Sequence, residues 1–359
     1  MVLGISSFSS FQFNLFNRQN VQRTTLELQR VSEEVSTGKK ADIYADLGPR
    51  AASVMKLHGR EANTQTFMTS NEVLASKLDA MLASVDAART QVQSVLESAL
   101  VNATRNGNGA EVLQMQARAA LESLVSTMNT SYNGENLFSG LESNKTSLTR
   151  WPETSADTGR SPQSVVEEIF GAGPTDPASA QTIADQLETV FNSQDADASR
   201  NFQGTFYQGS PERDASGAET KQISAWVNTG QEVVYGVRAN DQSFRDAYKG
   251  LAMLAVTDVS QMDEAAYSTW MSEVVDSLSA SQEGMLDISA RIGFNQQIVE
   301  KTQTQLTDLS LVQRTQISNY ESVDPYEAIT RMNSLETQLQ ASYQVSSRLS
   351  SLSILNYLR

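Results

Sequence analysis

The residue types that carry most biological chemistry are scarce in this sequence. It contains no cysteine and one histidine, His58, which excludes thiol nucleophiles, disulfides and cysteine metal sites at once. Zinc sites draw several His, Cys or carboxylate ligands at fixed spacing, and no His-Glu-x-x-His occurs, so His58 reads as a partly exposed helix residue. Asp195-Ala196-Asp197-Ala198-Ser199 begins like a calcium loop, but Arg200 stands where such a loop needs Gly and Phe206 where it needs Glu. Gly107-Asn108-Gly109 lacks a preceding strand and a Lys-Ser/Thr pair, which makes it a turn and not a phosphate cradle. Glu167-Glu168 and the acidic stretch 185–188 read as exposed helix faces. Trp151, Trp226 and Trp270 offer flat rings on which a sugar could stack, against the plainer reading that they fill a small core. No catalytic, metal-binding or cofactor-binding residue is assigned, and the chain is expected to work by packing and not as an enzyme.

The bulk properties point the same way. With 359 residues and a net charge of −15, the chain lacks the clustered Lys and Arg of a phosphate-backbone binder, so nucleic acid is not an expected partner. Hydrophobic residues at 39% and aromatics at 7% are lean for a compact enzyme and suit long helices meeting along narrow seams. No apolar run approaches the roughly 20 residues that span a bilayer, so no membrane partner is expected. Met1-Val2-Leu3-Gly4-Ile5-Ser6-Ser7-Phe8 has neither a basic region nor a continuous apolar stretch, which argues against a cleaved signal peptide.

The elements behind these residues are helices. Val21, Thr24, Leu28, Val31 and Val35 recur at steps of three and four, and Gly38 supplies a stop. At the other end Asp324 is placed to cap and Pro325 to begin a helix whose apolar face carries Met332, Leu335, Leu339, Tyr343, Leu349, Leu352 and Leu355. Phe67, Asn71, Leu74, Leu78, Met81, Val85, Ala88, Val92, Val95 and Ala99 form a heptad seam. Leu113, Ala117, Ala120, Leu124 and Met128 define a second helix folded back on it as an αα-hairpin. A further helix is expected over 241–256. The longest seam follows: Met271, Val274, Leu278, Ser281, Met285, Ile288, Ile292, Asn295, Val299, Thr302, Leu306 and Leu309. Its polar members are expected to set register, and a helix of roughly 55 residues, about 80 Å long, needs the 67–99 rod beside it.

Between these regions lies a stretch of different character. Five of the seven prolines fall between about 140 and 240, short helices are expected at 162–170 and 178–191, and strands at 202–207, 222–227 and 232–237. The fold class is therefore mainly α, with long antiparallel coiled-coil-like helices formed by both termini and a small inserted α/β domain. The expected division is 1–45 and 322–359 as terminal helices, 46–140 and 240–321 as rod helices, and 141–239 as the insert. Val21, Leu28, Val31, Val35, Met332, Leu335, Leu339, Tyr343, Leu349, Leu352 and Leu355 are candidate subunit-interface residues, because apolar stripes on terminal helices need cover. Copies meeting head to tail at a non-closing angle build a filament or tube. Leu74, Leu78, Met81, Val85, Val92, Leu278, Met285, Ile288, Ile292, Val299 and Leu306 are the candidate intramolecular seam.

These residues carry a resemblance. Leu28-Gln29-Arg30-Val31-Ser32-Glu33-Glu34-Val35-Ser36-Thr37-Gly38-Lys39 resembles the leucine-rich helix and Ser-Thr-Gly-Lys turn of the bacterial flagellin family. Asp324-Pro325-Tyr326-Glu327-Ala328, Leu335-Glu336-Thr337-Gln338-Leu339-Gln340-Ala341-Ser342-Tyr343 and Leu352-Ser353-Ile354-Leu355-Asn356-Tyr357-Leu358 are similar to the ending of that family's hook-associated branch, at the junction of hook and filament. Ala45-Asp46-Leu47-Gly48-Pro49-Arg50 departs from the Asp-Asp-Pro or Asp-Asp-Ala element usual there. The resemblance implies an extracellular flagellar subunit, exported unfolded without a cleaved signal through a type III channel and covered beforehand by a cytoplasmic chaperone. Its implied partners are copies of itself, a neighbouring hook-associated protein and flagellin, with no cofactor. Two alternatives stay open: a flagellin forming the filament itself, and a flagellin-like surface protein whose insert binds a glycan or receptor.

Overall fold

The computed structural model describes residues 10–104, 109–214, 216–257 and 262–351. In chain order the elements are α1 (Ser10–Thr37), α2 (Ile43–Leu47), α3 (Ala51–Val101), α4 (Gly109–Met128), β1 (Ser131–Tyr132), β2 (Glu135–Asn136), α5 (Pro162–Phe170), α6 (Pro177–Phe191), β3 (Ser224–Asn228), β4 (Gln231–Val234), α7 (Gln242–Val256), α8 (Glu264–Glu321) and α9 (Pro325–Ser351). The fold is mainly α, with two small antiparallel hairpins. Local chemistry sets the helix boundaries. Gly38 ends α1 in the left-handed region, at φ +69°, where a side chain would be strained. Asp324 Oδ1 accepts from Tyr326 N at 2.9 Å, with Pro325 in the first turn of α9. Ser161 and Asp176 head α5 and α6 with reciprocal capping boxes, each followed by proline.

The chain divides into two compact units, a terminal one of Met1–Thr66 with Leu306–Arg359 and a central one of Phe67–Gln305. In the central unit, α3 and α8 run antiparallel, tied by side chains at every seventh residue. Gln303 donates to Glu72 at 3.4 Å, Gln296 to Asp79 at 2.6 Å, and Ser289 to Asp86 at 3.1 Å. A seven-residue repeat of cross-helix contacts is what a heptad seam produces. Inside it Leu74, Leu78, Met81, Val85, Val92, Leu278, Met285, Ile288, Ile292 and Val299 are all buried. Gln116 donates to Ser94 Oγ at 3.2 Å, folding α4 back along α3, and α4 packs on α7. The α7–α8 approach is close enough to need glycine. A Cβ on Gly250 would sit 2.7 Å from Leu278 Cδ2, and one on Gly284 2.6 Å from Ser243 Cβ.

The region between α4 and α7 packs into the same core. Phe191, Phe202 and Phe206 surround Tyr248 of α7 with ring centroids 5.5 to 5.9 Å from it. Residues 202–206 form an irregular turn and not the expected strand, with non-helical backbone at Gln203 and Gly204 and the Phe202 and Phe206 rings buried in this cluster. The expected strands at 222–227 and 232–237 are the β3–β4 hairpin, paired from Ser224↔Val234 to Asn228↔Gln231. The β1–β2 hairpin, turning on Asn133 and Gly134 with positive φ at both, follows the end of α4.

Of the three polar members of the α8 seam Ser281 is buried, while Asn295 and Thr302, with Asn71 of the α3 seam, bond to the β3–β4 hairpin. Asn71 Nδ2 donates to Val227 O at 3.0 Å, Asn295 Nδ2 to Val234 O at 3.0 Å, and Thr302 Oγ1 to Gln231 Oε1 at 3.4 Å. They hold the β3–β4 hairpin. Leu309, expected on the α8 seam, is 44% exposed. Beyond Leu306 the buried positions are Ser310, Gln313, Ile317 and Glu321, so the register turns by one residue and becomes polar.

Candidate assembly surface

Within the terminal unit α1 packs along α9 in antiparallel fashion. Asn17 Nδ2 donates to Ser346 Oγ at 3.2 Å toward one end, and Lys39 bridges Ser322 at the other. The pairing follows from the three-four spacing on each helix. Thr24, Val31 and Glu34 on α1 and Ala328 and Leu335 on α9 are buried, while Val21, Leu28, Val35, Met332 and Leu339 are half-buried. Small and polar residues stand where a strong coiled coil would place leucine, so the seam is thin. Tyr343 lies off it at 56% exposure. The Leu349 side chain, and Leu352 and Leu355 entirely, lie outside the described residues.

A second set of apolar side chains on the same two helices is exposed. Leu15, Phe16 and Leu26 on α1 and Tyr326, Ile329, Tyr343 and Val345 on α9 are all exposed, Tyr326 at 85%. Leu15 and Leu26 share one face of α1, and Ile329 and Tyr343 one face of α9. Scattered surface leucines are ordinary, but exposed aromatics sharing helices with a thin inner seam make a surface that can be covered by something further.

At the Gly38 end the pair is fastened by a buried carboxylate. The Glu321 side chain is only 4% exposed and meets Lys39 Nζ at 3.1 Å and His58 Nε2 at 2.6 Å. Its backbone carbonyl accepts from Lys40 N at 2.8 Å, and Val323 N donates to Gly38 O at 3.0 Å. Burial pushes the Glu321 carboxyl up, but hydrogen bonds from His58 and Lys39 outweigh it and hold it below the ordinary carboxylate range. Glu34 continues the arrangement, accepting from Ala41 N at 3.2 Å. Below this point α3 and α8 hold together through Glu61 to Arg314 at 2.8 Å and Gln65 to Ser310 at 2.9 Å. Leu306, on the same stretch of α8, is buried.

Sequence reasoning treated His58 as a bystander and missed Glu321. No hydrophobic period marks a buried acid. The available signal was a glutamate three residues ahead of the Asp324 cap, where the chain must turn between two helices. The other chemistry candidates are spoken for. Asp195 Oδ1 accepts from Asp197 N at 2.8 Å, and Asp197 Oδ1 from Ser199 N at 3.0 Å, so this run is a self-capped turn. Trp151 and Trp270 are buried in the central core, Trp270 donating Nε1 to Thr257 at 2.9 Å, and Trp226 stands exposed on β3. The tryptophans therefore do not form one stacking platform. Among the described residues no group of three or more His, Cys, Asp or Glu is placed to hold a metal, and no helix is long and apolar enough to cross a membrane.

Residues 8–143 match the bacterial flagellin N-terminal helical region, and residues 275–358 match the bacterial flagellin C-terminal helical region. The chain is also similar to a solved structure described as a "putative flagellar hook-associated protein from Vibrio parahaemolyticus", at 11% identity and a TM-score of 0.48, over 77% of this chain and 99% of that one. No curated protein matches.

Proposed function

Since the chain belongs to the flagellin family, and so is a structural protein of the bacterial flagellum, we propose that it is the subunit joining hook-side proteins to the flagellin filament. The observation that carries this reading is the α1–α9 pair, with a thin seam inside and uncovered apolar residues outside. Copies arranged on a helical lattice bury the outer residues against one another, and the mechanism is packing without bond chemistry. In this reading 1–45 and 322–359 line an inner tube, 46–140 and 240–321 form the next layer, and 141–239 faces outward. The interface residues are Val21, Leu28, Val31, Val35, Met332, Leu335, Leu339, Tyr343, Leu349, Leu352 and Leu355, some of which also serve the pair itself. Export through a type III channel, with a chaperone covering the terminal helices, completes the proposal.

The similarity of Leu352-Ser353-Ile354-Leu355-Asn356-Tyr357-Leu358 to the hook-associated branch favours a junction subunit over a filament subunit. Electron microscopy of cells lacking the gene tests it. Bare hooks, with flagellin shed into the medium, are the expected outcome. Normal filaments on those hooks overturn the junction role, and long filaments growing from the purified protein alone move the assignment to filament flagellin.

A further inference from the structure

One stretch of the terminal unit is built inside out. On α8 beyond Leu306, Ser310, Gln313 and Glu321 are buried beside Ile317, while Leu309, Val312 and Tyr320 are exposed at 44, 52 and 36%. At 3.6 residues per turn, Leu309, Val312 and Tyr320 fall in one stripe, with the exposed Gln316 between them, about a quarter turn from the buried positions. A helix free to turn about its axis would bury the apolar stripe and expose the polar one. Named ties prevent that. Glu321 is held by Lys39 at 3.1 Å and His58 at 2.6 Å, Gln65 donates to Ser310 at 2.9 Å, and Arg314 to Glu61 at 2.8 Å. The bonds that fix the rotation of α8 therefore also hold the stripe outward.

Charge indicates what can cover it. Between Gln305 and Tyr320 only Asp308 and Arg314 are charged, and Arg314 is already bonded to Glu61. A strongly acidic or basic partner finds little to hold there. Over the whole terminal unit 12 Lys and Arg stand against 11 Asp and Glu, whereas the central unit has 15 against 31. The net charge of −15 thus belongs to the central unit. The terminal unit is the part of one copy that another can approach without like-charge repulsion, and it holds both signs in nearly equal number to pair across a contact.

We propose that the stripe of Leu309, Val312 and Tyr320 is a contact with a second copy of this chain. The proposal rests on the reading that copies pack against one another, and it adds to the α1 and α9 faces a surface on α8. Apolar side chains at the centre with charge kept away is the composition of an interface core.

Photocrosslinking of the full-length chain tests it. The sequence has no cysteine, so Gln316→Cys places a benzophenone maleimide at the middle of the stripe and nowhere else. Irradiation of the concentrated protein should give a dimer of twice 39.2 kDa, with the label joined to terminal-unit peptides of the second copy. The yield should exceed about fivefold that from Ser216→Cys, an exposed position in the central unit. Adding Val312→Glu should cut the yield about tenfold with an unchanged melting curve, because a carboxylate is put into an apolar contact. Raising salt from about 50 to about 500 mM screens the like-charged central units and should increase the yield. No dimer, a yield equal to that at Ser216, or a dimer indifferent to Val312→Glu overturns the proposal. Bare hooks in cells lacking the gene, together with any of these results, would sink this contact alone and leave the junction role standing.

Discussion

The two units are built from different material. The fully buried side chains of the central unit include Trp270, Tyr248, Tyr267, Phe138 and Phe206. Those described as buried and apolar in the terminal unit are Val31, Ala51, Val54, Leu306, Ile317, Ala328 and Leu335, which include no aromatic. Thr24, Glu34, Thr64, Ser310, Gln313 and Glu321 share the terminal interior. A buried aromatic removes 150 to 250 Å² from water, worth roughly 4 to 6 kcal/mol gross, about twice a valine or leucine. One region therefore carries its own stability, and the other is left with surface to share. In the proposed role this split places the interface in the part least committed to itself.

Mutations can break that contrast. The largest effect is expected from Trp270→Ala, which empties a fully buried site and removes the bond to Thr257. It should lower the stability of the central unit by about 3–5 kcal/mol, read from the denaturant midpoint of near-UV circular dichroism. A loss below about 1 kcal/mol would mean that the buried Trp270 does little to hold the central core together.

Next comes Glu321→Ala, which leaves Lys39 and His58 without their shared carboxylate. A loss of about 1–3 kcal/mol is expected, confined in hydrogen exchange to peptides from α1, α9 and the adjoining ends of α3 and α8. The same group sets an acid limit. Its folded pKa lies below its unfolded value, so its contribution is complete above the ordinary carboxylate pKa and is lost as pH falls through the depressed one. Protection of α1 and α9, corrected for intrinsic exchange, should drop over that acid window in the parent protein and stay flat in the variant. The smallest effect belongs to Trp226→Ala. At 57% exposure on β3 it should change stability by about 0.5 kcal/mol or less, and a larger loss would give the hairpin a packing role that its exposure contradicts.

Periodicity made the helices legible, because the same three-four spacing that shows in the sequence is what two helices use to pack. Residues such as Leu78, Val85, Leu278 and Met285 could be placed in the core for that reason. Periodicity lost its reach where burial stopped being hydrophobic. Past Leu306 the inward positions are serine, glutamine, isoleucine and glutamate, so an apolar period carried on to Leu309 and pointed outward. Asn295 and Thr302 read as register residues because the β3–β4 hairpin they bond is distant in sequence. The alternation at 202–207 suggested a strand, yet its rings are gathered by Tyr248 into a turn. Asn133-Gly134 follows a helix and reads as its stop, while the strands that make it a hairpin turn are only two residues long and show no alternation. Of the candidate surface, the spacing of the stripes was visible. That Glu321 fastens them needed contacts as far apart in the chain as the 282 positions from Lys39 to Glu321.

That separation imposes an order in time. The seam of α1 is covered by α9, so α1 cannot settle in this packing before α9 has been made. The pieces of the central unit lie closer together in sequence and close smaller loops, which favours their earlier formation. α1 is thus made well before the helix that covers it, and in that interval its seam stands open to other contacts.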